Sequence, residues 1–175
     1  MKGKDIILGL LNSKGPLTGY EINEILQNQF DHFYEGSYGM IYPTLRTLEN
    51  NKCVKKEKVS QEGKPNKNIF SILPLGEKEL KKALHTNLEE DEFKSDFLMK
   101  MYFGVNFSKN EKIKLIEKQI NMKQHKLDLL KLNLKKWKNN GMNNNHKFTY
   151  DYGIVYYSSS IDFLKKELSK LQNYD

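Results

Sequence analysis

Residues 35–54 read EGSYGMIYPTLRTLENNKCV. Ile41, Leu45 and Leu48 recur at helical spacing, so the stretch is expected to be a helix with one apolar stripe. Two residues sit awkwardly in it: Pro43, inside the helix, and Arg46, the only arginine among 29 basic residues. Proline lacks an N–H, and its ring presses on the carbonyl four residues earlier, which here belongs to Gly39. With no side chain at 39 the backbone has room to adjust, and the first turns lose few hydrogen bonds anyway. At 100° per residue, the face opposite the stripe holds Gly39, Pro43, Arg46, Thr47 and Asn50. That face is shallow at its start and carries a guanidinium further on. Ser37 is the expected N-cap.

Upstream, Ile6, Ile7, Leu10 and Leu11 form a helical stripe over Asp5 to Asn12 that stops at Ser13-Lys14-Gly15-Pro16. Thr18-Gly19-Tyr20-Glu21 is a capping-box pattern, in which hydroxyl and carboxylate each satisfy an unpaired backbone N–H. The stripe Ile22, Ile25, Leu26 and Phe30 continues this second helix to a break at Glu35-Gly36. Downstream of Asn50-Asn51-Lys52 the period changes. Val54 to Val59 and Asn68 to Leu73 are rich in β-branched and aromatic residues, joined by turn formers from Ser60 to Lys67. Three helices and a hairpin in this order predict a winged helix-turn-helix, whose third helix enters the major groove while the hairpin touches the adjacent backbone.

Pro74 is expected to open a helix running through Leu80, Leu84 and Leu88 into the acidic connection Glu89-Glu90-Asp91-Glu92. From Lys109 onwards Ile113, Ile116, Ile120, Leu127, Leu130, Leu134 and Trp137 alternate steps of three and four, with Lys123 filling the one gap. This heptad seam asks for a partner helix. Ile154, Tyr157, Ile161, Leu164, Leu168 and Leu171 repeat the rhythm after a polar loop, Asn139 to Asn145. The two helices either pair within one chain or assemble across a dimer. The expected fold is mainly α with a small β-hairpin: a winged helix-turn-helix DNA-binding domain over 1–88 and a helical, coiled-coil-like dimerisation domain over 89–175.

Composition narrows the function. The chain has 175 residues, 38% hydrophobic and 29% charged, with a net charge of +7. No run reaches the length of about 18 apolar residues that a membrane span needs, and the N-terminus lacks a cleavage pattern, so a cytoplasmic protein is expected. Cys53 is alone and His32, His85, His125 and His146 are far apart, so no metal site or cofactor is expected. No nucleophile and base stand in a recognisable motif and there is no glycine-rich phosphate loop, which argues against an enzyme. Charge is uneven: residues 1–36 carry three lysines against five acids, whereas 37–67 carry seven basic residues against three acids. A basic block of this kind suits a nucleic-acid face.

On that face Arg46 can donate two hydrogen bonds to guanine or clamp a phosphate, a fork that lysine cannot copy. Gly39 and Pro43 allow close approach to base edges. Tyr38 and Tyr42 lie at the flank, each able to pack its ring inward while its hydroxyl reaches a phosphate. Lys64 and Lys67, at the hairpin tip, would supply the wing's backbone contacts.

Two stretches, Gly15-Pro16-Leu17-Thr18-Gly19-Tyr20-Glu21-Ile22 and Gly39-Met40-Ile41-Tyr42-Pro43-Thr44-Leu45-Arg46-Thr47-Leu48-Glu49, resemble the GPLxGYEI and GxIYPxLxxLE patterns of PadR-type transcriptional regulators. The resemblance covers about residues 5–85 and departs at Pro74, where a threonine is common. The C-terminal half resembles the longer, AphA-like subgroup in architecture. What it implies is a homodimeric repressor on a double-stranded DNA operator with an inverted repeat. The segment from Ser37 would be the recognition helix, Lys64 to Lys67 the wing, and Tyr20 a further DNA-facing residue. Some members respond to small aromatic compounds; here Phe93, Phe97, Tyr102, Phe103, Phe107, Phe148, Tyr150, Tyr152, Tyr156 and Tyr157 concentrate in the second half. The alternative is a winged-helix protein-interaction module whose coiled-coil arm recruits a partner without specific DNA binding. The net +7 of residues 112–138, nine lysines against two acids, partly favours it.

Overall fold

A computed structural model describes residues 1–34, 38–61, 64–139 and 141–173. Ser37 lies outside them, as do the side chains of Tyr38 and Lys64. The chain divides into two units, Met1–Glu89 and Glu90–Asp175.

The first unit runs α1 (Gly3–Lys14), β1 (Leu17–Thr18), α2 (Gly19–Ile25), α3 (Tyr38–Asn50), β2 (Val54–Gln61), β3 (Lys64–Ile72) and α4 (Pro74–Leu84), with α2 widening into a π-helical turn over Leu26–Phe30. The strands form an antiparallel sheet in the order β1-β3-β2. The apolar stripes of the three helices meet on one core: Ile7, Leu8, Leu10 and Leu11 of α1, Ile22 and Leu26, and Ile41, Leu45 and Leu48 of α3. Val54, Phe70 and Leu80 close it from the sheet and α4. Burying each of these side chains is worth roughly 1.5–3 kcal/mol, which fixes α3 by its stripe and leaves its opposite face to solvent. Cys53 is buried at the entrance to β2, packed as a small apolar residue. Beyond α3 the chain turns sharply: Lys52 takes a left-handed φ of 56°, and Cys53 N–H donates to Leu48 O at 2.9 Å.

Two boundaries differ from the sequence reading. The hairpin is longer: Lys64 already belongs to β3, and Lys67 pairs with Val59 on the ladder instead of lying at the tip. Lysine and asparagine are poor strand formers, but the register is set at the base by Val54 against Ile72, and a solvated two-stranded ribbon carries polar residues outward from there. The helix from Pro74 is shorter, ending at Leu84. His85 Nδ1–H donates to Lys81 O at 2.7 Å and the Thr86 hydroxyl to Ala83 O at 2.8 Å, closing its last turn and leaving Leu88 fully exposed.

The second unit contains α5 (Asp96–Tyr102), a 3₁₀ turn (Gly104–Asn106), α6 (Lys109–Lys138) and α7 (Asn144–Asn173). Ser108 opens α6 with a capping box: its hydroxyl accepts from Glu111 N–H at 3.3 Å, and Glu111 Oε2 accepts from Ser108 N–H at 2.8 Å. The Ser108 hydroxyl, which also donates to Glu111 Oε2 at 2.6 Å, and then the Ser108 N–H hold the Glu111 carboxyl below the usual carboxylate range. The two heptad seams pair with each other inside the chain. Ile116, Leu127, Leu130, Ile161 and Leu164 are buried there with Tyr150, whose hydroxyl burial pushes up to about 12. Ile113, Ile120, Leu134, Trp137, Leu168 and Leu171 are half-buried along the same line. At the gap in the seam, the Lys123 ammonium sits 4.9 Å from the Tyr156 ring centre and 5.7 Å from that of Tyr157, and burial lowers its pKa. Among the described residues no helix is long and apolar enough to cross a membrane.

Candidate nucleic-acid interface

The two faces of α3 separate cleanly. Ile41, Leu45 and Leu48 are 0%, 1% and 2% exposed, while Gly39, Tyr42, Pro43, Arg46, Thr47 and Asn50 all face solvent. Arg46 is exposed and makes no ion pair with any described carboxylate, and its guanidinium carries five donors. The Thr47 hydroxyl is committed within the helix, donating to Pro43 O at 3.0 Å. On this surface Arg46 is the one side chain with a forked, charged set of donors.

Beside this face lies a cleft of about 710 Å³ lined by Thr18, Gly19, Tyr20, Glu21, Glu24, Tyr42, Asn66, Lys67 and Asn68. It brings together three elements far apart in sequence: the start of α2, α3 and the middle of β3. Tyr20 is largely exposed at its edge. Thr18 ends β1 opposite Ile69 and caps α2, its hydroxyl accepting from Glu21 N–H at 3.2 Å while Glu21 Oε2 accepts from Thr18 N–H at 2.7 Å. The backbone hydrogen bond from Thr18 is the main reason the Glu21 carboxyl lies below its ordinary 4.5, with the Lys67 ammonium adding a smaller pull in the same direction. Glu21 is thus committed to the cap, and Lys67 reaches the cleft from the ladder.

Of the residues singled out from sequence, Tyr20, Tyr42 and Lys67 line this one cleft, and Gly39, Pro43 and Arg46 share the exposed face of α3. Two features escaped the sequence reading. Asn66 joins the cleft because β3 begins earlier than expected, next to Asn68, the first residue of the expected strand. At this site Gly19, unlike Gly39, has a tight neighbour: a Cβ at 39 would meet nothing within 4 Å, whereas one at 19 would stand 2.8 Å from Tyr42 Cε1. The room at Gly39 is open solvent.

The aromatic residues of the second unit do not converge on one chamber. Tyr102 and Phe103 pack edge to face at 5.1 Å, and Tyr156 and Tyr157 do so at 5.3 Å beside Lys123. Phe93, Phe148 and Tyr152 are exposed. A separate cleft of about 390 Å³ opens between α5, α6 and α7, its apolar wall including Phe97, Met101, Ile116 and Phe163 and its rim Lys112 and Lys170.

Comparison with known proteins covers both units. Residues 7–82 match the model of the transcriptional regulator PadR-like family, and residues 93–172 match that of the virulence activator alpha C-terminal region. The negative transcriptional regulator PadR of Bacillus subtilis (strain 168) is 31% identical over 126 residues, 71% of this chain and 68% of that protein. Its fold is shared: a B. subtilis PadR structure in complex with operator DNA has a TM-score of 0.84 at 24% identity, covering 96% of this chain and 98% of that one. A second, in complex with p-coumaric acid, has a TM-score of 0.77 at 22% identity, covering 98% and 95%. The PadR-like transcriptional regulator BC1756 of Bacillus cereus is 37% identical with a TM-score of 0.88 and 98% of each chain covered. A Streptococcus mutans UA159 protein, smu.1604c, is 45% identical with a TM-score of 0.87, covering 97% of this chain and 99% of that one.

Proposed function

The chain belongs to the PadR-like family of transcriptional regulators, and from this premise we propose that it is a homodimeric repressor binding an inverted-repeat operator in double-stranded DNA. The observation that carries the reading is the exposed face of α3, where Gly39, Pro43 and Arg46 stand clear of the core. In this reading α3 enters the major groove with Tyr38 and Ser37 at its start. Arg46 reads guanine through its fork, and Gly39 and Pro43 let the helix approach the bases. Tyr20 and Tyr42 direct hydroxyls at phosphates, and Lys64 and Lys67 supply the wing's salt-dependent contacts. Two copies of α3 would occupy successive grooves about 34 Å apart.

The second unit then serves as the dimerisation domain. The seam of Ile113, Ile116, Ile120, Leu127, Leu130, Leu134, Trp137, Ile161, Leu164, Leu168 and Leu171 builds the hairpin. Its outward residues, Leu129 and Leu132 on α6 with Phe148, Tyr152, Val155 and Phe163 on α7, are 41–69% exposed and offer apolar surface to a second copy. A small aromatic effector would release the operator by favouring one separation of the two reading helices, which requires different affinities for the two states. The apolar cleft, with Lys112 and the Glu167–Lys170 ion pair among its lining, is of a size to take such a compound.

Selection of bound fragments from genomic DNA returns the operator and its symmetry. Mobility shifts on that operator and on scrambled DNA then test the contacts. Arg46→Ala is expected to remove about 1–3 kcal/mol of preference for the operator, whereas Lys64→Ala weakens binding to both DNAs evenly and flattens the salt slope. Equal loss on both DNAs for Arg46→Ala would reduce that residue to a phosphate contact.

A further inference from the structure

We propose that Gly19 is a positioning residue for DNA binding: its bare Cα is the seat on which the Tyr42 ring lies, and the seat sets where the Tyr42 hydroxyl points. The inference rests on the reading of Tyr42 as DNA-facing. Gly19 is the first residue of α2 and is buried, while Tyr42 is 45% exposed on α3, so this contact ties the two helices of the motif together at its solvent edge. A Cβ built on Gly19 would fall 2.8 Å from Tyr42 Cε1 and 2.9 Å from Cζ, closer than real Cβ atoms come, and 3.0 Å from Oη, tighter than most real contacts. The atoms in the way are the hydroxyl end of one side chain, not backbone. A side chain at 19 must therefore displace the phenol from its seat, and no other residue is among the nearest atoms that its Cβ would meet.

The backbone at Gly19 is not what requires glycine. Its φ is outside the left-handed region that marks Gly15 and Gly141, and it begins a helix, where alanine is the better former. Gly19→Ala should then keep or raise thermal stability while weakening operator binding, a combination that a merely structural glycine would not give. Because the effect runs through one ring, it should vanish when the ring is absent.

The test is a double-mutant cycle on the selected operator duplex, with melting curves for every protein. Tyr42→Ala is expected to bind several-fold more weakly than the wild type, and Gly19→Ala to lose a comparable factor at an unchanged or higher melting temperature. The double variant should bind no worse than Tyr42→Ala alone. Wild-type binding by Gly19→Ala, or losses that multiply in the double variant, would overturn the proposal while leaving the DNA-facing reading of Tyr42 in place. Wild-type binding by Tyr42→Ala would remove that reading and the proposal with it.

Discussion

The two units are nearly equal in length, 89 and 86 residues, and they treat apolar side chains in opposite ways. Among the described residues the first buries thirteen in a single cluster and exposes seven large ones; the second buries six and exposes fourteen. A three-helix head with a sheet has enough layers to enclose its own core. A two-helix hairpin has one seam, so every apolar residue off that seam faces water until another molecule supplies the next layer. In the proposed dimer the first unit is thus free to use its outward surface for recognition, and the second has apolar surface to offer for assembly.

The largest test of this contrast is Leu45→Ala, which empties the centre of the first unit's core and should cost about 2–5 kcal/mol. Urea melts followed by circular dichroism would show it. The only tryptophan, Trp137, lies in the second unit, so its fluorescence should shift less; coincident shifts by both probes would mean that the two cores fold as one. Next comes the assembly face. If α7 carries the proposed dimer interface, Tyr152→Lys with Phe163→Lys should weaken the dimer by about 2 kcal/mol or more, as loss of interface anchors does. Sedimentation equilibrium would read this, and an unchanged dimer would move the interface off α7. The smallest effect concerns the cap joining wing and helix. Thr18→Ala should cost about 1 kcal/mol. Glu21, with its carboxyl below the ordinary 4.5, stabilises the fold fully above that pH and loses its contribution as pH falls through the lowered value. Melts between pH 6 and pH 3, in wild type and Glu21→Gln, should differ in slope; equal slopes would discount the cap's charge.

Legibility in the sequence follows the same division. The head's helices could be read because their stripes repeat over several turns and their caps use specific residue types, as at Thr18 and Glu21. The strand β1 could not, since two residues, Leu17 and Thr18, have no period. The hairpin's true length escaped because pairing to a well-anchored neighbour overrides the turn preference of Lys64 to Lys67, and the end of α4 was overrun because Leu88 keeps the spacing of Leu84 and Leu80. On α3 the pattern placed Arg46 and Pro43 on the correct face. The tight contact at Gly19 was not legible, because tightness is a property of space and nothing local in sequence links Gly19 to Tyr42. In the second unit both seams were legible, whereas the choice between pairing within the chain and across two chains depends on the loop from Asn139 to Asn145 and the packing it permits.

Thr18 is at once the last residue of a strand hydrogen-bonded to the wing and the residue that caps α2. Two parts joined through one shared residue have no slack between them. The wing's base and the scaffold behind the reading helix form a welded joint, and neither can travel without carrying the other. Under the proposed function, a signal that silenced such a head would have little to gain by bending it; its leverage would lie in where the head is set down.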